Sequence, residues 1–214
     1  MIPGARSVQQ GALDLPLTFH APVKLDQIAD YTTEVFVVDG DLDLPGDLDL
    51  FAEGAYLLVV LGNLSVGGVY RDYDDPESFL FVTGDMRARD VITAGWLEVR
   101  GSLTTGRLIG DYNDCGARID GDVRAELFYG EEHHFNIGGE LRADIIVGRP
   151  RLTIAAQPTA VIPLDDNRLL RHFDRPLLRL FEDTDRHGKA IVEVDGFRDF
   201  KELKRRVAAG LPLH

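Results

Sequence analysis

A short glycine-centred unit recurs through the middle of this chain, and this repeat limits the possible folds more than any other feature. The unit reads apolar-x-Gly-polar-apolar, and its copies are VVDGDLDL, VVLGNLSV, FVTGDMRA, EVRGSLTT, RIDGDVRA and NIGGELRA. Their glycines are Gly40, Gly62, Gly84, Gly101, Gly121 and Gly139, separated by steps of 22, 22, 17, 20 and 18 residues. Such a period is typical of a β-solenoid, because one coil cannot bury its own apolar face and must share a core with its neighbours.

The sequence therefore predicts a mainly β protein, a single-stranded β-solenoid (β-helix) of about six coils with a C-terminal segment containing helices. The inward positions should be Leu42, Leu64, Met86, Leu103, Val123 and Leu141. We expect glycine at the corners because it reaches positive φ without a Cβ clash. Leucine-rich repeats have a similar period, but the LxxLxLxxN pattern is missing and the Val, Ile and Thr content favours strands. A β-sandwich stays open as an alternative, since its strands also recur at short regular intervals.

The regions that flank the repeats should cover the ends of the solenoid. We assign residues 39–148 to the solenoid, residues 1–38 to an N-terminal cap, and residues 149–214 to a C-terminal α/β cap or binding arm. Ends need cover because exposed strand edges invite aggregation.

The C-terminal segment contains helix and strand patterns of its own. In DDNRLLRHFDRPLLRLFED the leucines and phenylalanines have helical spacing, with Asp165 or Asp166 as the N-cap and Pro176 as the residue that kinks or divides the helix. KAIVEV predicts a strand. DGFRDFKELKRRVAAG predicts a helix for which Gly210 is placed to form the C-terminal cap.

Charge and composition narrow the choice of partners. The net charge is -13, so we expect neither nucleic acid nor an anionic membrane as a partner, and a basic protein is favoured. Cys115 is the single cysteine, which rules out an intramolecular disulfide. The N-terminus lacks the pattern of a signal peptide, and the apolar run AYLLVVLG is too short to span a bilayer. A cytoplasmic location is the expectation.

Three polar loops should stack on one edge of the solenoid. Gly110 and Gly130 follow the same repeat step, so GDYND should lie beside GEEHH, with RDYDD two coils earlier. The predicted partner-binding residues are Arg71, Asp72, Tyr73, Asp74, Asp75, Asp111, Tyr112, Asn113, Asp114, Glu131 and Glu132. Tyrosine and arginine tend to anchor protein interfaces, although the tyrosines could equally brace the corners by stacking.

A metal site in these loops is only weakly indicated, through Asp111, Asp114 and His133. Oxygen ligands suit calcium or magnesium, but Cys115 stands where a calcium loop has an oxygen ligand. Adjacent histidines such as His133 and His134 point to opposite faces of a strand and rarely bind one ion together. We therefore predict no metal and no cofactor.

Catalytic motifs are missing as well. The sequence has no G-x-S-x-G elbow, no P-loop and no dinucleotide-binding fingerprint. Cys115 with His133 could form a thiol nucleophile pair, but a small buried cysteine is the commoner case. Paired carboxylates would suit a carbohydrate-active β-helical enzyme, yet the loops are short. We expect a protein that is not an enzyme.

Residues 35–148 resemble a group of bacterial cytoplasmic β-solenoid proteins that share G-D/N-L coils and a GDYN…G corner followed by an HxF strand. The matching residues are Gly110, Asp111, Tyr112, Asn113, Gly116, His134 and Phe135. Some proteins of this kind look like immunity proteins of polymorphic toxin systems. The resemblance to bactofilins, whose β-helical cores polymerise end to end, is looser, because the coil lengths here are irregular and a long C-terminal segment follows.

The functional expectation has three alternatives. The first is an acidic binding module, most concretely an immunity protein that neutralises a bacterial toxin by direct binding to a basic surface. The second is a structural scaffold that self-assembles through the solenoid ends, so a homo-oligomer is also possible. The third is a carbohydrate-active β-helix enzyme.

Overall fold

The computed structural model describes residues 2–9, 34–111, 113–184 and 186–214. Its strands are β1 (Arg6–Gln9), β2 (Glu34–Val38), β3 (Leu42–Leu44), β4 (Leu48–Asp49), β5 (Leu57–Val60), β6 (Leu64–Arg71), β7 (Phe79–Val82), β8 (Met86–Thr93), β9 (Trp96–Val99), β10 (Leu103–Gly110), β11 (Gly116–Ile119), β12 (Val123–Ile137), β13 (Leu141–Thr153), β14 (Val161–Ile162), β15 (Leu178–Thr184) and β16 (Ala190–Phe197). Two 3-10 helices, Asn167–Arg171 and Arg175–Leu177, precede β15, and helix α1 (Phe200–Ala208) follows β16. Strands β2 to β14 form a parallel β-solenoid of about seven turns, which confirms the predicted fold class.

The coils have two walls of parallel strands. The short wall contains β2, β5, β7, β9, β11 and the ends of β12 and β13. The long wall contains β3, β4, β6, β8, β10 and the beginnings of β12 and β13, and β14 adds a final pair of residues. Strand β1 pairs antiparallel with β2. The stack thus begins at β2, within residues 1–38, and continues to β14, beyond residue 148.

The inward positions that the repeat marks are aliphatic, as predicted, although Tyr70, Phe128 and Phe135 also contribute to the interior. The inward residues pair in register from coil to coil in the order Leu42, Leu64, Met86, Leu103, Val123 and Leu141. All except Leu141 are buried. Burying one such side chain stabilises the fold by about 1.5–3 kcal/mol, so the stacked positions supply much of the driving force.

The repeated glycines stack for a reason that differs from the expected one. Among the six, only Gly40 has a positive φ. A Cβ at Gly84 would lie 2.4 Å from Asn63 Oδ1 and 2.8 Å from the carbonyl oxygen of Gly62. At the five later copies glycine is therefore needed because consecutive coils approach too closely for a side chain, whereas at Gly40 a Cβ would meet nothing within 4 Å and the positive φ favours glycine.

The polar residue after each glycine forms a ladder between the coils. Its side chain accepts a hydrogen bond from the backbone N–H of the corresponding residue in the next coil. The donor and acceptor residues, in that order, are Asn63 and Asp41 at 2.7 Å, Asp85 and Asn63 at 2.9 Å, Ser102 and Asp85 at 2.8 Å, Asp122 and Ser102 at 3.1 Å, and Glu140 and Asp122 at 2.9 Å. Because the corner interrupts the strand ladder, these side chains provide acceptors that the backbone lacks there. The Gly-polar unit therefore joins consecutive coils by hydrogen bonds.

The C-terminal segment packs against the outward face of the long wall. Leu203 and Val207 of α1 and Phe197 of β16 share a buried cluster with Ile109 and Tyr129 of the wall. The C-terminal segment therefore lies along the side of the stack of coils.

A charged cluster on the wall fixes the end of α1. The buried Asp90 carboxylate accepts hydrogen bonds from Arg89 Nε at 2.7 Å and from Arg107 Nε at 2.6 Å. Arg107 Nη1 donates to the carbonyl oxygen of Leu211 at 2.7 Å, and Arg89 Nη2 donates to that of Ala208 at 2.9 Å. The arginines thus satisfy carbonyl groups at the helix C-terminus.

The structure corrects one predicted helix in this segment. Asp166 is the predicted N-cap, with its side chain accepting from the Arg168 N–H at 2.7 Å, but the element that it caps is a 3-10 helix. The residues after Pro176 form strand β15 instead of a helix, and β15 pairs antiparallel with β16. The proline prevents a continuous helix, and alternation then lets Leu178 and Leu180 face the cluster.

The last helix and its cap agree with the prediction. Asp199 caps α1 by accepting from the Lys201 N–H at 2.9 Å. Gly210 has φ +65°, donates its N–H to Val207, and is followed by Leu211, which donates to Arg206. These are the two hydrogen bonds of a Schellman motif. In the described part of the chain no helix is long and apolar enough to cross a membrane.

Candidate functional site

The register of the long wall brings the predicted loops to one corner of the solenoid. Gly110 lies beside Gly130 on one side and beside Thr93 on the other. The loop after β10 therefore adjoins residues 131–134, and the loop after β6 lies two coils earlier, as predicted. We define the acidic corner as residues 71–78, 111, 113–115 and 131–134, where the chain turns from the long wall to the short wall.

Asp72 lies inside this corner and does not reach its surface. Its exposed fraction is 3%. The carboxylate accepts from the hydroxyls of Tyr70 and Thr93, both at 2.9 Å, and from the backbone N–H groups of Ala94 at 2.5 Å and Gly95 at 2.7 Å. Burial raises the pKa of Asp72, and these four donors oppose the rise. Asp72 therefore joins two coils and has no acceptor capacity left for a partner.

Arg71 and Tyr73 surround a residue that the sequence analysis missed. The Tyr73 hydroxyl donates to Asp49 Oδ2 at 2.7 Å, and Arg71 Nη1 lies 3.8 Å from the same oxygen. Burial and this hydrogen bond raise the pKa of Tyr73 to about 12. Asp49 ends strand β4 one coil earlier, and nothing in its local sequence distinguishes it from the other aspartates of the repeats.

An exposed aromatic cluster adjoins this group. The Phe51 ring is packed 5.6 Å from the Tyr73 centroid and 6.3 Å from the Tyr56 centroid, and 54% of Phe51 is exposed. Sequence reasoning overlooked Phe51 because it lies in a turn between two short strands, where no periodicity marks it. An exposed phenylalanine supported by two tyrosines is the type of group that anchors protein interfaces.

The second loop is tied to the C-terminal helix. Asp111 forms an ion pair with Lys204 of α1. Asn113 Oδ1 accepts from the Cys115 N–H at 2.8 Å, and Asn113 Nδ2 donates to the Asp111 carbonyl at 3.1 Å, so Asn113 organises the turn. Asp114 is exposed. Tyr112 lies outside the described residues.

His133 lies beneath this loop, and its ring is buried. Its Nδ1 is 3.2 Å from Asn113 Oδ1, its ring centroid is 5.0 Å from that of Phe135, and its Nε2 has no hydrogen-bond partner. Burial lowers the pKa of His133 to about 4. The neutral imidazole therefore serves as a core residue at neutral pH.

Cys115 is unsuited to nucleophilic chemistry. The thiol is buried, and burial together with the charges of four carboxylates raises its pKa to about 12. These carboxylates are those of Glu77, Asp72, Asp74 and Asp114. A thiolate nucleophile needs the opposite environment, with nearby positive charge. Three of these carboxylates, those of Asp72, Asp74 and Glu77, belong to loop 72–78, so this loop approaches Cys115 across the short Ala94–Gly95 turn.

The carboxylates of the third segment, residues 131–134, contact neighbouring side chains. Glu131 accepts from the Tyr129 hydroxyl at 2.5 Å, and Glu132, with φ 65°, forms an ion pair with Arg151. Within the described residues, no group of three or more His, Cys, Asp or Glu side chains could hold a metal ion. The three weak metal candidates thus have other roles or, for Asp114, face solvent.

The exposed carboxylates of the corner are therefore fewer than the sequence suggested. Asp74, Asp75 and Asp114 are exposed, whereas Asp72 is buried and Asp111 is paired with Lys204. The surface that remains has three exposed aspartates, of which Asp74 and Asp75 directly follow Tyr73 of the aromatic cluster.

Comparisons with protein-family models, with curated proteins and with solved structures found no match. The fold and the site accordingly define this protein as a parallel β-solenoid whose outward long wall carries a C-terminal α/β segment and whose corner carries an acidic and aromatic surface.

Proposed function

We propose that this protein is a non-enzymatic binding module whose acidic corner and adjoining aromatic cluster capture a basic protein partner. In its most concrete form the module is an immunity protein that neutralises a bacterial toxin by covering one of its basic surfaces. Exposed Asp74 and Asp75 directly follow Tyr73, whose ring packs against the half-exposed Phe51, and this continuity of charge and aromatic surface supports the proposal.

The two parts of this surface would do different work. The carboxylates of a chain with net charge -13 attract a basic partner and accelerate encounter, an effect that salt screens. Individually exposed ion pairs contribute little, so affinity needs a desolvated centre. Phe51, held by Tyr56 and Tyr73, can provide that centre. The parallel coils beneath the loops keep the surface rigid, which limits the entropy lost on binding.

The chemistry of the corner also favours binding over catalysis. The Cys115 thiol has its pKa raised to about 12, and His133 Nε2 is enclosed by protein. Neither group can take up or release a proton in contact with a substrate near neutral pH.

A capture experiment with matched variants tests this proposal. The tagged full-length protein is incubated with lysate of the organism that produces it, eluted with increasing salt, and the eluate identified by mass spectrometry. The test variants are Asp74→Asn/Asp75→Asn/Asp114→Asn, which removes the corner charges, and Phe51→Ser, which removes the anchor.

The control is Asp165→Asn/Glu182→Gln/Asp183→Asn, which changes net charge equally at exposed positions of the C-terminal segment. We expect a basic protein that elutes as salt rises, is retained by the control, and is lost or weakened at least about tenfold with both test variants. Equal retention by all four proteins, or an acidic partner, would refute the proposal.

A further inference from the structure

The two ends of the solenoid differ in how completely they are covered. At the N-terminal end Ile2 packs onto the inner cluster, and the inward residues Leu42, Leu48 and Leu50 are buried. At the other end the inward residues of the last coil stay partly exposed, namely Leu141, Ala143, Leu152, Ile154 and Val161. We call this second surface the terminal end.

The terminal end also has an open strand edge. Strand β13 pairs with β12 along its length, but on its other side it pairs only with β14, through Ile146 and Val147. The edge of 141–145 is therefore free of strand partners within the described chain. A groove of about 650 Å³ includes this edge and extends over residues 104–105 and 124–126 of the two preceding coils, and Pro158, Thr159 and Ala160 also line it. An unpaired edge of this kind is a template for another strand.

The surface around this edge has an unusual composition. Residues 152–164, LTIAAQPTAVIPL, contain no charged side chain, whereas 28% of the whole chain is charged. Ala155, Ala156 and Ala160 in this stretch are exposed. Loss of charged residues at an exposed, partly apolar surface is the compositional signal of an interface core.

We propose that the terminal end binds a second copy of this chain, related by a two-fold axis, through antiparallel pairing of the two 141–145 edges. Pairing centred on Ala143 sets Arg142 opposite Asp144 of the second copy, and Asp144 opposite Arg142 of the second copy. Both side chains are exposed. Arg142 donates through Nε and Nη2 to Glu140 of its own chain, whereas Asp144 has no ion-pair partner on its own chain among the described residues. The edge is therefore complementary in charge to itself, as a two-fold interface requires.

Two further features favour a second copy over a different protein. Arg142 and Arg151 at this end are paired with Glu140 and Glu132, so this end carries little net charge and two copies repel each other less here than the net charge of -13 implies. A two-fold contact uses the same edge on both copies, so it closes as a pair and does not propagate into a filament. Loop 72–78 of the acidic corner lies several coils away from the terminal end, so this loop stays accessible on both copies of the pair.

Sedimentation velocity of the full chain over a concentration series, at fixed salt, tests this inference. We expect a concentration-dependent rise from 23.7 kDa to twice that mass. Arg142→Asp and Asp144→Arg each place like charges opposite one another, and each should weaken the pair at least about tenfold. The double variant Arg142→Asp/Asp144→Arg restores opposite charges and should return the dissociation constant to within about threefold of wild type.

The control variant is Arg179→Asp, because Arg179 is likewise an exposed, ion-paired arginine on a strand, but lies on β15. A monomer at every concentration would overturn the inference. A pair that Arg142→Asp leaves intact, or that the double variant fails to restore, would overturn this interface. Neither outcome affects the capture of a basic partner at the acidic corner, because the variants leave that corner unchanged.

Discussion

Stability should fall as the pH drops from 7 to 5, because His133 is buried in its neutral form. Its folded-state pKa is lowered from 6.5 to about 4. The unfolded chain therefore binds a proton on His133 in this window while the folded chain does not. The stability that this difference represents is present above pH 6.5 and is lost progressively as the pH falls towards 4.

The magnitude follows from the size of the pKa difference. One pKa unit corresponds to about 1.4 kcal/mol, so the loss is about 3 kcal/mol below pH 4 and about 2 kcal/mol at pH 5. The substitution His133→Phe keeps a ring against Phe135 and removes the titration. It deletes the contacts with Asn113 Oδ1 and with the Asp111 backbone. Asn113 Oδ1 still accepts from the Cys115 N–H, the Asp111 carbonyl still accepts from Asn113 Nδ2, and the unpartnered Nε2 is removed. We expect a change within about 1 kcal/mol at pH 7 and a variant about 2 kcal/mol more stable than wild type at pH 5.

Urea unfolding at pH 7, 6 and 5 measures these differences for wild type and the variant. The raised pKa of Asp72 has the opposite sign, since that group favours the folded state as the pH falls, but it is common to both proteins and cancels in the comparison. His134→Gln, at the exposed neighbouring position, should keep the wild-type pH dependence. Parallel pH profiles for wild type and His133→Phe, or an NMR titration of His133 with a midpoint at or above 6.5, would refute this reasoning.

Three other outcomes follow from the corner and the coil stack. Asp72→Ala should lower the free energy of unfolding by about 3–5 kcal/mol, because two backbone N–H groups and two hydroxyls lose their acceptor. Asp72→Asn should lower it by about 1–2 kcal/mol. Equal losses for the two variants in urea unfolding would contradict this. Gly101→Ala should lower the free energy of unfolding by about 2–3 kcal/mol, because its Cβ would lie 2.7 Å from the Gly84 carbonyl oxygen. A Cβ at Gly46 would have no atom within 4 Å, so the control Gly46→Ala should leave thermal unfolding unchanged. Iodoacetamide at pH 8 should label Cys115 at least about a hundredfold more slowly in the folded chain than in urea, and equal rates would show that the thiol is neither buried nor suppressed.

The repeat made the fold predictable from the sequence. A period that links glycine, a polar residue and an aliphatic residue predicts both the coil register and the inward positions, and Leu42 to Val123 lie where this reasoning placed them. The caps at Asp166 and Gly210 were readable for the same reason, because capping depends on neighbouring residues.

The exception was the segment after Pro176. Its leucine spacing fits a helix, but β15 forms because it can pair with β16 and cover the outward long wall. Local spacing carries no information about that distant pairing partner.

The candidate site was only partly predictable. The repeat step placed the three loops at one corner correctly, because register is a property of the period. It could not distinguish Asp72, which is buried, from Asp74, which is exposed, since both lie in one short loop and differ only in the direction of their side chains. It also gave no sign that Lys204 would pair with Asp111.

The sequence by itself thus determined the repeating architecture and the acidity of the corner, because both arise from interactions that recur at a fixed spacing. The tertiary structure decided which carboxylates reach solvent, that the C-terminal segment packs laterally, and that Phe51 is exposed beside Tyr73. These features depend on contacts between residues far apart in the chain, whose free energy no local pattern records.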